Sequence, residues 1–241
     1  MTLGDVQRHL ASHPPVLLSP EQRTHAAVAL ILRERERGPE VLFVERAQRE
    51  GDPWSGDVGF PGGKVEASDA GPQAAAERET REELGLHLES TRYLGRLSDL
   101  PGARLPILVS CFVYGSEEPV PFHLSEELRD AFWVPLHHLT DSGVQVRALV
   151  PFRGEVMDCP AIRLPLPEKP LLWGLTHRLL MEFLEILGYG AGMEKEEIAC
   201  QCPNQDCDRH ADCEDCRRYH KKKGNAPYCE RKEGGVPEKQ G

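Results

Sequence analysis

No run of apolar residues in this 241-residue chain approaches the length that spans a bilayer, so no transmembrane helix is expected. The opening stretch, MTLGDVQRHLASHPP, lacks the architecture of a signal peptide, and the cytoplasm is the expected compartment. An excess of positive charge is missing as well. The formal net charge of -10 argues against non-specific binding to nucleic acid or to anionic membranes. It leaves room for a phosphate-bearing substrate, because bound cations invert a local field. Internal repeats and low-complexity tracts are absent. Cysteine is scarce up to residue 190, with only Cys111 and Cys159, both in apolar segments that read as strands.

The other six cysteines (Cys200, Cys202, Cys207, Cys213, Cys216 and Cys229) crowd into the last stretch. Composition therefore changes near residue 190, and two domains are expected, 1–190 and 191–241.

Along the first domain, Leu3 to Ser12 can form a short amphipathic helix ended by Pro14 and Pro15. HAAVALILR and EVLFVER flank the polar stretch ERERGP and predict a hairpin. DVGF runs as a short strand into the glycine turn PGGK. Pro72 suits a first helical turn, Ala74 to Leu84 are strong helix formers, and Gly85 suits a left-handed terminus. Further strands are predicted at 92–96, 107–114, 131–134 and 144–150, and a second long helix from about Leu171 to Leu187. Strands with one helix inside them and one after them predict an α+β or α/β/α sandwich.

The helix over residues 74–84 carries the chemistry. Residues three and four apart share a helical face, so Glu79, Glu82 and Glu83 project together, with Arg78 placed to pair with Glu82. Like charges held together need a counter-charge. Hard oxygen ligands on a rigid helix suit magnesium or manganese, which share their coordination with substrate phosphates. Gly62 and Gly63 allow the backbone a tight approach to a metal or a pyrophosphate. A solvated helix laced with ion pairs is the plainer reading of so acidic a segment.

The order Arg78-Glu79-x-x-Glu82-Glu83-x-Gly85-Leu86 resembles the signature of the Nudix hydrolase superfamily, with Thr80 where an aliphatic residue is usual. The superfamily's first glutamate would fall on Ala70 and its glycine on Lys64. A shift of one residue puts Asp69 and Gly63 in those roles. That shift, with GDVGFPGG, resembles the coenzyme A pyrophosphatase branch, Asp57 standing for the branch's glutamine and Glu45-Arg46 for its Arg-Ser. EELRDAFWVPLHHL is similar to the family's second landmark and places Glu127 where some members supply another carboxylate. LLWGLTHRLL is similar to the branch's C-terminal helix. The resemblance covers most of residues 20–188.

It implies an α/β fold, a Nudix-type α/β/α sandwich with a mixed sheet, plus a small Cys-rich module. It also implies Mg²⁺- or Mn²⁺-dependent hydrolysis of a nucleoside diphosphate derivative. Coenzyme A or acyl-coenzyme A stands first, giving phosphopantetheine and adenosine 3′,5′-bisphosphate. Metal held by Glu79, Glu82 and Glu83 would neutralise the phosphates and lower the pKa of a bound water. Glu82 or Glu127 would serve as general base, Arg78 would orient the glutamates, and Gly62, Gly63 and Lys64 would meet phosphate. Pro101, fifteen residues past Leu86, keeps an ADP-ribose or nucleotide-sugar pyrophosphatase in play; a loop proline is the plainer reading. A nucleotide-sensing regulator that does not cleave is the alternative of another class, and the intact glutamates count against it. The expected partner is a small-molecule nucleotide, with no nucleic acid and no membrane; a homodimer is allowed.

In the tail, Cys207-x2-His210-x2-Cys213-x2-Cys216-x3-His220 has the spacing of a zinc or iron–sulfur site. Disulfides fit poorly with a chain expected in the cytoplasm. The stretch resembles small Cys-rich proteins of anaerobic microbes. Zinc is expected, on Cys202, Cys207, Cys213 and Cys216, with His210, His220 and Cys229 as further candidates. Such a segment has too few aliphatic side chains to fold by burial, so metal would supply its stability.

Overall fold

The computed structural model describes residues 1–49, 55–103, 105–116, 122–166, 168–189, 216, 219–220 and 222–223. They fall into two compact units, Met1–Gly192 and Met193–Gly241. In the second, Tyr219 and His220 lie in a helical turn, their rings edge to face at 5.4 Å, and Lys223 Nζ stands 4.7 Å from the Tyr219 ring centre. Among the proposed tail ligands only Cys216 and His220 are described; Cys202, Cys207, His210, Cys213 and Cys229 lie outside the described residues.

The first unit begins with helix α1 (Leu3–Ala11). Thr2 caps it: its hydroxyl accepts from the Asp5 N–H at 3.2 Å while the Asp5 carboxylate accepts from the Thr2 N–H at 2.8 Å. Strands β1 (Thr24–Arg33) and β2 (Glu40–Arg46) pair antiparallel, as the hairpin pattern predicts. Strands β3 (Val58–Gly59) and β4 (Gly62–Lys64) follow, then helix α2 (Pro72–Leu84) and strands β5 (Arg92–Arg96), β6 (Leu100–Pro101), β7 (Ile107–Ser116) and β8 (Leu128–Pro135). These strands form one mixed sheet with the spine β3-β2-β1-β7-β5. β1 and β7 run parallel through ten residue pairs, Thr24↔Ile107 to Arg33↔Ser116. Both are near-continuous apolar runs, the composition a strand needs when both its faces are covered.

Alternation along β1 divides the core. Ala27, Ala29 and Ile31 pack with Ala75, Ala76 and Leu84 of α2. Leu30 and Leu32 face the other way, into a cluster with Val6 and Leu10 of α1 and Leu180, Phe183 and Leu184 of helix α4 (Gly174–Ile186, numbered after the one-turn α3, Leu136–Leu139). The result is an α/β/α sandwich with a mixed sheet.

Three local readings need correction. Residues 155–162 form strand β10 (Glu155–Ile162), which pairs with β9 (Gln145–Phe152) through the two-residue turn Arg153-Gly154, both at positive φ. The second long helix starts at Gly174, not near Leu171. Leu172–Trp173 is strand β11, paired to β10, and Gly174 at φ 68° ends it. Pro101 belongs to β6, paired to β7, and is no loop proline.

Two buried polar features have no parallel in the sequence reading. Glu45 on β2 is 1% exposed and accepts from Lys169 Nζ at 2.8 Å and Arg129 Nη1 at 2.9 Å. His177 on α4 is 7% exposed, its Nε2 has no hydrogen-bond partner, and burial pushes its pKa down to about 4. Among the described residues, no helix is long and apolar enough to cross a membrane.

Candidate active site

Helix α2 is fixed at both ends. Pro72 occupies its first turn, and Gly85 terminates it at φ 68° with an N–H to Arg81 O bond of 2.8 Å. Thr80, the departure from an aliphatic residue, is fully buried, and its hydroxyl donates to Ala76 O at 2.7 Å. The polar atom is thus satisfied inside the helix, while the methyl group packs.

Glu79 and Glu83 both turn toward strand β4. Gly62 donates its backbone N–H to Glu83 Oε2 at 3.0 Å. At Gly63 a β-carbon would stand 2.4 Å from the Glu79 carboxyl carbon, so the carboxylate lies directly on the glycine backbone. At Gly62 a β-carbon would meet Ala27 O at 2.3 Å, and φ there is 145°. The paired glycine therefore has two separate causes. Gly62 lets β4 approach β1, and Gly63 makes room for a carboxylate.

Arg78 gathers the remaining acids. Its Nε and Nη2 donate to Asp69 at 2.9 and 3.1 Å, and Nη1 donates to Glu79 at 3.0 Å and Glu82 at 3.1 Å. Nη2 also donates to Lys64 O at 3.1 Å. All five guanidinium N–H groups are thereby used, which makes Arg78 an orienting residue. The Asp69 pairing holds the arginine's pKa above its ordinary value.

Electrostatics separate the glutamates. Burial raises the Glu83 pKa to about 7, against the opposing Gly62 N–H and Arg46, while Glu79 and Glu127 push it further up. Glu79 is raised by burial too, with Arg78 opposing and Glu82 and Glu127 adding to the rise. Glu82 is more than half exposed and tied to Arg78. Glu127 is half exposed and pairs with Arg49 at 3.2 Å. Its field still reaches Glu79 and Glu83, so all four carboxylates of the sequence reading share one electrostatic neighbourhood.

Among the described residues, no group of three or more His, Cys, Asp or Glu side chains stands ready as a metal nest. Arginines occupy the carboxylates instead. The donor set nevertheless suits a hard divalent cation: Glu79 and Glu83 are oxygen ligands whose ionised forms burial disfavours, and a cation would offset that cost. Cys216 and His220 form no such group with other described residues.

Beside the helix lies a cavity of about 530 Å³. Gly62, Gly63 and the exposed Lys64 form one wall, with Arg46; Phe60, Phe152, Met157, Trp173 and Leu175 supply an apolar remainder. Asp57, which stands for the glutamine of the resembling motif, accepts from the Trp173 indole N–H at 3.1 Å. Phe152 meets the same indole edge to face at 5.7 Å. Sequence reasoning did not place Arg46 or Trp173 at the site. The signals were thin: one cation at the end of a predicted strand, and a tryptophan inside what read as a helix.

The NUDIX domain model matches residues 23–158. The human mitochondrial coenzyme A diphosphatase NUDT8 is 30% identical over 167 residues, covering 68% of this chain and 70% of its own. The uncharacterized Nudix hydrolase NudL of Citrobacter koseri is 30% identical over 193 residues, covering 78% of this chain and 96% of its own. The crystal structure of a MutT/nudix family protein from Enterococcus faecalis superposes with a TM-score of 0.46 at 16% identity, over 78% of this chain and 75% of that one. With a family model over more than half its length and relatives matched through most of theirs, the chain belongs to the NUDIX family and is a Nudix hydrolase.

Proposed function

We propose that the chain hydrolyses the diphosphate bond of coenzyme A or an acyl-coenzyme A, releasing 4′-phosphopantetheine and adenosine 3′,5′-bisphosphate. One observation carries the reading. The segment GDVGFPGG walls a largely apolar cavity, and its glycines Gly62 and Gly63 also carry the contacts to Glu83 and Glu79. A substrate with an anionic diphosphate and a long, weakly polar arm matches such a junction. The human relative's name, coenzyme A diphosphatase, supports the same substrate.

Glu79, Glu82 and Glu83 would hold Mg²⁺ or Mn²⁺, which when bound neutralises phosphate charge and activates water. Arg78 keeps Glu79 and Glu82 oriented through Asp69. Lys64 meets phosphate at the exposed rim of the cavity. Glu127 or Glu82 takes the proton of the attacking water as general base. The tail from residue 191 forms a separate zinc module on Cys202, Cys207, Cys213 and Cys216, with His210, His220 and Cys229 available. The protein works in the cytoplasm, a placement that cell fractionation checks against the mitochondrial name of the human relative.

A second reading, ADP-ribose, has one structural point in its favour. Gly102 and Ala103, directly after Pro101, line the cavity, and Pro101 O accepts from Arg178 at 3.0 Å. A substrate panel with product identification decides. Coenzyme A or its thioesters should lead by kcat/KM and yield the two products above, and faster turnover of ADP-ribose would replace this reading with the second.

A further inference from the structure

We propose that Arg178 sets specificity: its guanidinium receives a second anionic group of the substrate, separate from the diphosphate, which in coenzyme A is the 3′-phosphate of the ribose. The inference rests on the proposed function and narrows it. The favoured substrate is a diphosphate whose nucleotide half carries an extra phosphate.

Arg178 is a cation without an acid. It lines the cavity from helix α4, and its one polar contact among the described residues is Nη1 to the neutral Pro101 O at 3.0 Å. Carboxylates are plentiful in a chain with 39 acidic and 29 basic side chains. The other arginine of the cavity wall, Arg46, stands 3.8 Å from one of them, Glu83. Arg178 is also partly stripped of water. That loss holds its pKa below the ordinary arginine value, and no carboxylate opposes the shift. A single carbonyl leaves most of the donors of the guanidinium fork available to a ligand.

The sheet sets Arg178 apart from the diphosphate site. Lys64 pairs with Ala26, Ala26 with Val109, and Val109 with Leu100, so β4, β1, β7 and β6 lie side by side in one row. Three strand spacings, about 14 Å, separate Lys64 from Leu100, the neighbour of Pro101. Glu79 and Glu83 touch the glycines at one end of that row, and Arg178 is bonded at the other. A diphosphate held at the glycines is therefore not the group that meets Arg178. Another part of the same substrate has to reach across.

Chemistry chooses that part. The pantetheine arm is neutral and suits the apolar wall of Phe152, Met157, Trp173 and Leu175. A ribose phosphate is an anion that a guanidinium takes through two parallel hydrogen bonds. Such charge-assisted bonds are about twice as strong as neutral ones. Arg178 is exposed, so the phosphate would sit at the cavity mouth and keep part of its hydration. ADP-ribose and 3′-dephospho-coenzyme A carry hydroxyls at that point and forgo the contact.

Steady-state hydrolysis of coenzyme A and of 3′-dephospho-coenzyme A by the full-length protein in saturating Mg²⁺ tests this. Wild type should prefer coenzyme A by about 10–100-fold in kcat/KM, chiefly through KM, the range expected for hydrogen bonds to a charged group. Arg178→Gln should lose that factor on coenzyme A while staying within about twofold of wild type on the dephospho substrate, which abolishes the preference. Arg178→Lys, which keeps the charge without the fork, should fall between. The ratio of the two kcat/KM values does not depend on how much enzyme is folded, and Arg178→Ala supplies it should the glutamine variant be inactive. A preference that survives at its wild-type size in Arg178→Gln overturns the proposal. A wild type that cleaves both substrates equally well removes this inference alone. One that cleaves neither removes the proposed function as well.

Discussion

Arg78 and Asp69 form a two-point ion pair, Nε to Oδ1 at 2.9 Å and Nη2 to Oδ2 at 3.1 Å, nine positions apart in the chain. The aspartate stands just before the helix and the arginine inside it, so the pair ties the entering loop to the carboxylate face. Asp69→Asn keeps the shape and removes the charge. Arg78 should then lose its orientation, and with it that of Glu79 and Glu82, lowering Mn²⁺ affinity or kcat by about 10–100-fold. Parallel metal titrations and kinetics check this, and wild-type values in both would deny Asp69 its role.

The two glycines of β4 should fail differently. Gly63→Ala pushes only on the far end of the Glu79 side chain, which can swing away, so the melting temperature should hold while hydrolysis is lost. Gly62→Ala collides with Ala27 O and the Val28 backbone at a φ of 145°, and should cost about 1–3 kcal/mol or more of stability. Thermal melts alongside activity assays separate the cases, and an unstable Gly63→Ala would show that Glu79 cannot yield.

Glu83 and His177 should pull metal-free stability in opposite directions. Glu83 titrates near 7 when folded and near 4.5 when unfolded, so its contribution, full below pH 4.5, is lost as pH rises toward 7. His177 titrates near 4 when folded and near 6.5 when unfolded, so stability falls as pH drops from 6.5 toward 4. Each amounts to about 3 kcal/mol, and in wild type they largely cancel. Urea unfolding from pH 4 to 8 with chelator should give a nearly flat profile. Glu83→Gln should become more stable as pH rises through that range, and His177→Leu should become less stable. A Glu83→Gln profile parallel to wild type would place the carboxyl in a better solvated setting. The same variant should lose nearly all hydrolysis, if Glu83 is a metal ligand.

Full-length protein prepared anaerobically should carry about one equivalent or more of zinc, and protein lacking residues 195–241 should carry none and keep its kcat. Elemental analysis with kinetics reads both. Less than about half an equivalent of any transition metal would dispose of the module. Loss of activity on truncation would instead assign the tail a part in the active site.

What could be read from the sequence is what local patterns encode. Pro72, the alanines and Gly85 delimit α2 within two residues, and the helical spacing of Glu79 and Glu83 predicts the face they share. β10 was missed because EVMDCPAI mixes a proline and an aspartate with apolar residues and half faces solvent, so neither periodicity stands out. β11 was absorbed into a helix because LLWGL fits both, and only its pairing with Ala161 and Ile162 decides. Long-range pairing is the common cause. The register shift between Glu45 and Arg46, the partnership of Glu45 with Lys169 more than a hundred residues away, and the indole held by Asp57 all depend on strands meeting that no local window contains.

The cavity draws its apolar wall from two parts of the chain. Val28, Phe60, Ile107 and Val109 come from the sheet around Gly62 and Gly63, which touch the carboxylates of α2, whereas Phe152, Met157, Trp173, Leu175 and Leu179 come from the last third of the first unit. The matched family segment stops at residue 158, before Trp173 and helix α4. The apolar residues of 150–179 are thus separate in sequence from the helix that carries Glu79 and Glu83. Under the proposed function, substitutions in residues 150–179 should change substrate preference while leaving Glu79 and Glu83 in place, and grafting that stretch between related chains should transfer preference without transferring metal chemistry.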